Sequence, residues 1–497
     1  MMMKRISVAM IAVLACAAQH SAQARLATVL MPSRSPLVTL RILVLAGSAN
    51  DPPGKEGVAA LTAAMLTQGG SASMTSSQVT AALYPTSANI GAQVDKEMTV
   101  FAGTTHQETL DRVYSVTKDL LLNPGFRADD FKRIRDNTLN FLKTNLRESN
   151  DEELGKERLL NIIYDGLPYA HHSRGKVSSV ETLTIDDVRE FYRRNYTQAN
   201  VRIGLAGGYP QALPQQLQAD FAKWPAGSRE TRKPVAPRLA PGMHIEIVKR
   251  ETDATAIAFG FPIDVVRGGK DWPALAVAAS FLGQHRSSNG RLFQELRGVR
   301  GLNYGDYAYI EYFPQGGAQL TPPPNVARQQ QIFEIWIRPV EPANGLFALR
   351  AGLYEYDRFV RDGLTSAEFE ETRSFLTKYS GVLTQTQSSL LGYALDSRFY
   401  GIADYGTYMR SELGKLSVDD VNRAIRRHLK SDDLRVVIVA KDADALRGSI
   451  LSGAPSAITY NSPKEDATLK EDKIIQAYKI NVKPADVVVT PVAQLFQ

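Results

Sequence analysis

The sequence predicts an α+β protein: two homologous half-domains, each a mainly antiparallel sheet with helices on one face, joined by a linker into a clam-like shell. Three observations carry this. The block Leu183-Thr-Ile-Asp-Asp-Val188 recurs as Leu416-Ser-Val-Asp-Asp-Val421, 233 positions on and without a gap. Arg193-Arg194 and an apolar run over 201–206 follow the first copy, and Arg426-Arg427 and a run over 434–439 follow the second. Between the halves, residues 229–243 mix proline with both signs of charge, which reads as an extended linker.

The elements follow in order. A strand over 37–45 leads to a helix opening at Gly57, and a strand over 254–261 leads to a helix through Ala274-Leu275. Asn123-Pro-Gly-Phe126 with Asp130-Phe131 opens a pair of long helices, as Asp362-Gly-Leu364 with Glu368-Phe369 does later. Thr184 and Ser417 each cap a helix whose first turn carries two aspartates, favourable beside the helix dipole. The runs at 201–206 and 434–439 close each half as strands. Residues 305–313 and 333–338 alternate aromatic with other side chains and read as strands with one buried face. Their aromatics belong to the core or to a peptide groove. The divisions expected are a signal segment 1–24, a first domain 25–228, the linker 229–243, a second domain 244–452 and a tail 453–497. The tail, with its alternating run at 486–492, is expected to lie over the surface or pair with a neighbour.

Composition is ordinary for a globular protein: 44% of the 497 residues are hydrophobic and 22% charged. The net charge of +6 is spread along the chain, which favours solubility and leaves no nucleic-acid footprint. Residues 1–24 have the parts of a secretory signal: Lys4-Arg5, an apolar stretch over 6–18 and Ala22-Gln23-Ala24 as a cleavage site. The stretch is too short to span a bilayer, and no other membrane span is visible. Cys16, the one cysteine, lies inside it, so the remainder has neither disulfides nor thiol ligands. Val13-Leu14-Ala15-Cys16 fits a lipoprotein box poorly, so anchoring at Cys16 is not expected. Export without cysteine points to a periplasm.

Gly47-Ser48-Ala49-Asn50-Asp51-Pro52 precedes a Gly57-x-Ala59 helix, and Pro168-Tyr169 precedes Gly175. Further on, Arg291-Leu-Phe-Gln-Glu-Leu-Arg297 is followed by Gly301-Leu302-x-Tyr304. On these motifs the chain resembles the M16 peptidases, the family of insulinase, pitrilysin and the mitochondrial processing peptidase. Active members carry H-x-x-E-H on the first helix, with histidines one turn apart on one zinc and a glutamate that polarises its water. A later helix supplies a glutamate ligand. The resemblance puts the first histidine at Ala60, the base at Ala63, the second histidine at Ala64 and the last ligand at or next to Phe141. None can hold zinc or activate water, so no cofactor is expected in this chain. Beyond His20 in the signal segment, the histidines are His106, His171, His172, His244, His285 and His428, and they form no helical pair. His171-His172 read as solvated or hydrogen-bonded, and the acidic run at 148–153 as a solvated helix start.

What the resemblance retains is Arg297 and Tyr304. In the family, that tyrosine donates to the scissile carbonyl as charge develops and that arginine holds substrate backbone. The plainer reading is a cation ending a helix and a half-buried strand residue. Gly298 departs from the family's acidic residue after Arg297. Gly69-Gly70 and Gly316-Gly317 are isolated pairs, so the processing peptidase's glycine-rich loop does not carry over. The resemblance implies a non-catalytic subunit of a heterodimeric periplasmic zinc peptidase. Its partner would be an H-x-x-E-H homologue holding the zinc, and its substrates would be peptides. The alternative is a standalone protein that binds peptides or unfolded segments without hydrolysis. A third is a peptidase whose ligands lie elsewhere.

Overall fold

The computed structural model describes residues 26–228, 235–313 and 321–497. The expected signal segment 1–24 and the first part of the linker, 229–234, lie outside the described residues. The repeat seen in the sequence is a repeat in space. Helix Ile185–Asn195 is capped by Thr184, whose hydroxyl accepts from the Asp187 N–H at 3.2 Å. Helix Val418–His428 is capped by Ser417, whose hydroxyl accepts from the Asp420 N–H at 3.3 Å. In both, the aspartate carboxylate returns the bond to the cap's own N–H, so two otherwise unsatisfied donors are met in each copy.

The first sheet comprises β1 (Ala27–Pro32), β2 (Leu37–Val44), β3 (Ile90–Val94), β4 (Thr99–His106) and β5 (Val201–Gly207), in the order β1-β5-β2-β4-β3. The second comprises β6 (His244–Lys249), β7 (Thr255–Ile263), β8 (Asp306–Tyr309), β9 (Gln331–Val340), β10 (Arg435–Ala440) and β11 (Val487–Pro491), in the order β11-β6-β10-β7-β9-β8. Among these, β1–β5, β6–β10 and β6–β11 pair in parallel and the rest antiparallel. The α+β architecture of two half-domains is therefore as the sequence predicts. β11 is the tail's alternating run, added at the sheet edge.

Each half also closes the face that the other leaves open. Successive residues of a strand point to opposite faces. On β10, Val436 and Ile438 enter the second half's own core with Ile257 and Phe259. Val437 and Val439 enter a core shared with the first half, beside Ala256 and Ala258. The first-half helix Asp151–Ile163 covers that second face, packing on β7 and β10. The second-half helix Gln387–Tyr400 reciprocates on β5, where Gly204 lets Leu391 and Leu395 approach the backbone. A fully buried Val, Ile or Phe is worth about 1.5–3 kcal/mol, so a strand buried on both faces couples the halves strongly. The tail adds a strap. From β11 it runs to Leu495 and Phe496 in the shared core, and the Phe496 carbonyl accepts from Val177 N–H at 2.7 Å.

The strand expected over 305–313 is shorter than its alternation suggests, since β8 ends at Tyr309. Beyond it the backbone bends, and the Tyr312 N–H is taken by the Gln331 side chain at 3.0 Å. Tyr307, Tyr309, Phe313 and Trp336 gather around buried His285, with ring centroids 4.4–6.5 Å from it. These aromatics are core.

Candidate functional site

Helix Val58–Gln68 is held at its start by Asp51, whose carboxylate accepts from Gly57 N–H at 2.7 Å and Ala59 N–H at 2.9 Å. That carboxylate is fully buried and touches His171 Nε2 at 3.1 Å. Burial raises the Asp51 pKa, against the hydrogen bonds and His171 that lower it. Gly57, at φ 103°, lies under the Arg174 carbonyl, where a Cβ would come within 2.6 Å of the oxygen. Val58, Ala59, Leu61, Ala63, Met65 and Leu66 are buried. Ala60 and Ala64, one turn apart, are only partly covered.

Ala60, Ala63, Ala64 and Phe141 line one hollow of about 900 Å³, so the structure does bring the four inferred zinc-site positions together. Phe141 ends helix Ala128–Asn140, at the start of a wider turn Phe141–Leu146. The residues do not fit a zinc ion. Three methyls and a phenyl ring offer no donor, and the Arg174 guanidinium lies 3.8 Å from the centre of the Phe141 ring. A fixed cation at that point repels a dication. Among the described residues, the carboxylates that do cluster are Glu295, Glu355 and Glu471. They belong to the other half and the tail, where Arg291, Arg300 and Arg358 already neutralise them.

Along the wall of the hollow runs a buried charge network that joins the halves. Arg328 forms a two-pronged pair with Asp95 at 2.6 and 2.7 Å and lies 3.8 Å over the Tyr312 ring. Lys96 donates to the His171 carbonyl, and burial pulls its pKa down to about 8 despite Glu157 beside it. Burial raises the Glu157 carboxyl in turn, and Tyr312 donates to it at 3.4 Å. Lys156 pairs with Glu153 at 2.6 Å and lies 3.5 Å over Trp336.

The acidic run at 148–153 therefore differs from the solvated helix start that its sequence suggests. Asp151 pairs with Arg250, Glu152 with Arg338 at 3.1 Å and Glu153 with Lys156. The first two partners come from the other half, 99 and 186 positions away, where no local pattern announces them. His171 is buried and hydrogen-bonded, and His172 lies 5.5 Å ring to ring from Phe141.

Arg297 and Tyr304 lie elsewhere, and neither lines the hollow. Arg297 sits in the wide helical turn Phe293–Val299, and its Nη1 donates to the Tyr304 carbonyl at 2.8 Å. Its guanidinium stacks 4.8 Å from Phe293 and 5.7 Å from Tyr304. Tyr304 is 75% exposed, unlike the half-buried strand filler that the plainer reading expects. Gly301 and Gly305, at φ 69° and 147°, bracket its loop. Asn303 pins that loop by donating to Asp306 at 2.7 Å and to the Arg338 carbonyl at 3.0 Å. Asp306 is fully buried, its second oxygen has no partner, and burial pushes its pKa up to about 8.

Residues 28–175 match the family described as insulinase, peptidase family M16, and residues 182–376 match the peptidase M16 inactive domain. The chain belongs to the M16 peptidase family. An uncharacterized zinc protease of Mycobacterium tuberculosis is 25% identical over 354 residues, 69% of this chain and 74% of that M16 relative. The non-peptidase homolog YmxG of Helicobacter pylori is 19% identical over 355 residues, 67% of this chain and 73% of its own. Among solved M16 folds, the peptidase M16 inactive domain from Pseudomonas fluorescens superposes with a TM-score of 0.72 at 22% identity, covering 83% of this chain and 94% of that one. A protease from Helicobacter pylori gives 0.68 at 15% identity, covering 83% and 96%.

Of the positions singled out in the sequence, Ala60, Ala63, Ala64 and Phe141 meet at the hollow and Arg297 and Tyr304 do not, whereas Arg174 and the Lys96–Glu157–Arg328 network carried no sequence signal that was read. The only local signal for Arg174 was its place between His172 and Gly175. Among the described residues, no helix is long and apolar enough to cross a membrane.

Proposed function

We propose that this chain is the non-catalytic subunit of a heterodimeric zinc peptidase, exported to the periplasm by its N-terminal segment. Its partner is an M16 homologue carrying H-x-x-E-H and the zinc, and its substrates are peptides. One observation supports the reading most: Arg297 and Tyr304 touch each other on an exposed, pinned loop, while the chain's own metal positions are methyls and a phenyl ring. A guanidinium spending one donor on the Tyr304 carbonyl keeps the rest of its fork for substrate carbonyls. A phenol held nearby can donate to a developing oxyanion in the partner's site. Co-expression with an H-x-x-E-H homologue, co-purification and a peptidase assay test this. Tyr304→Phe lowers the kcat of the complex about 100-fold, by analogy with losing an oxyanion-hole donor. An unchanged kcat removes the role given to the pair.

A second reading, a standalone peptide-binding protein without hydrolysis, is favoured by the hollow of about 900 Å³, which needs no partner to exist. A peptide-binding chain that never co-purifies with a homologue supports it instead.

A further inference from the structure

The hollow has the size of a ligand site, within the usual range of about 300–1,000 Å³. Its charges are balanced with one exception. Asp95 is taken by Arg328, Glu153 by Lys156, and Glu157 by Asn161 and Tyr312 beside Lys96. His172 is held neutral: burial first, then Lys96 and Arg174, set its pKa well below the ordinary value. Arg174 is left over. Among the described residues its guanidinium has no carboxylate and no hydrogen-bond acceptor, only the face of Phe141 at 3.8 Å. Burial of part of the side chain lowers its pKa and no carboxylate acts against that, although the residue as a whole is exposed.

The guanidinium is also presented on a fixed loop. The Arg174 N–H donates to His172 Nδ1 at 3.0 Å, its carbonyl lies over Gly57, and Lys176 and Ser179 tie the following turn to Glu56. Around it the surfaces are of two kinds. Ala60 and Ala64 form an apolar floor. Asn137, one turn before Phe141 on the same helix, and Asn145 line the hollow with amides that bond no other side chain among the described residues. A planar fork of donors beside free amides and a methyl floor matches a carboxylate on an extended peptide with a small apolar side chain.

We propose that the hollow binds a peptide through a carboxylate held by Arg174, with the adjoining side chain on Ala60 and Ala64. The carboxylate is either the peptide's C-terminus or an Asp or Glu side chain. This goes beyond pairing with a zinc-bearing homologue and does not depend on it, because binding is measured on this chain alone.

The test uses three dansylated pentapeptides and fluorescence anisotropy. The first is Leu-Ala-Leu-Ala-Ala with a free C-terminus, the second its C-terminal amide, and the third that amide with Glu replacing the fourth residue. Arg174→Gln is the variant, and its thermal unfolding is compared with the parent's to confirm an intact fold. The free acid is expected to bind the parent at least tenfold more tightly than the amide, and Arg174→Gln to erase that difference. Tight binding of the glutamate peptide, also lost in Arg174→Gln, assigns the site to side-chain carboxylates as well. Equal binding of acid and both amides, undiminished binding of the carboxylate peptides to Arg174→Gln, or no binding of any peptide overturns the proposal.

Discussion

Helix Val58–Gln68 and helix Trp272–Gly283 hold corresponding places in the two halves, following β2 and β7, the second strand of each sheet in chain order. The second is packed solid: ten of its twelve residues are buried, and the space beside it measures about 130 Å³. The first faces about 900 Å³ across Ala60 and Ala64. In the second half, helix Tyr405–Leu413 fills the flank. Among the described residues, no helix fills the first in this way. The same fold packs this position in one half and leaves it open in the other, and that opening is the space the proposed peptide site needs. The M16 frame persists around Ala60, Ala63 and Ala64, while Arg297 and the exposed Tyr304 touch each other away from the hollow.

Substitutions sharpen the contrast. The largest effect is expected at Asp306, the buried carboxyl that pins the Tyr304 loop on the packed side. Its folded pKa lies above the unfolded value, so the folded state keeps a proton that the unfolded chain releases. Stability from this group is full below about pH 4 and is lost as pH rises through about 8. Asp306→Asn cannot ionise and keeps the Asn303 bond. It is expected to be more stable than the parent by several kcal/mol at pH 8 and by little at pH 4, measured by denaturant unfolding at both. A gap that does not grow with pH would mean that Asp306 ionises freely. Next come the two helices, compared as a pair. Leu275→Ala, in the solid flank, is expected to cost about 2–5 kcal/mol. Ala64→Leu, into the hollow, is expected to stay within about 1 kcal/mol, because space is already there. If Ala64→Leu costs as much as Leu275→Ala, the hollow is not open at that residue.

Much of the fold was legible because its signals are local. Thr184 with Asp187 and Ser417 with Asp420 are capping boxes spanning four residues, and their constant offset of 233 positions exposed the duplication. The alternation at 486–492 gave β11 for the same reason. What bridges the halves was not legible. Arg328 meets Asp95 across 233 positions, and the run read as solvated is tied down by Arg250 on Asp151 across 99 positions and Arg338 on Glu152 across 186. At the candidate site, the loss at Ala60, Ala63 and Ala64 could be seen from the resemblance. Arg174 over Phe141 could not, since only the fold sets that guanidinium against the ring.

The central claim is that this chain does no metal chemistry of its own. Its most direct test is the zinc content of the purified full chain, incubated with excess zinc, dialysed and analysed by plasma mass spectrometry. Far less than one zinc per chain is expected, whereas one tightly held zinc per chain would mean that the chain builds a metal site of its own.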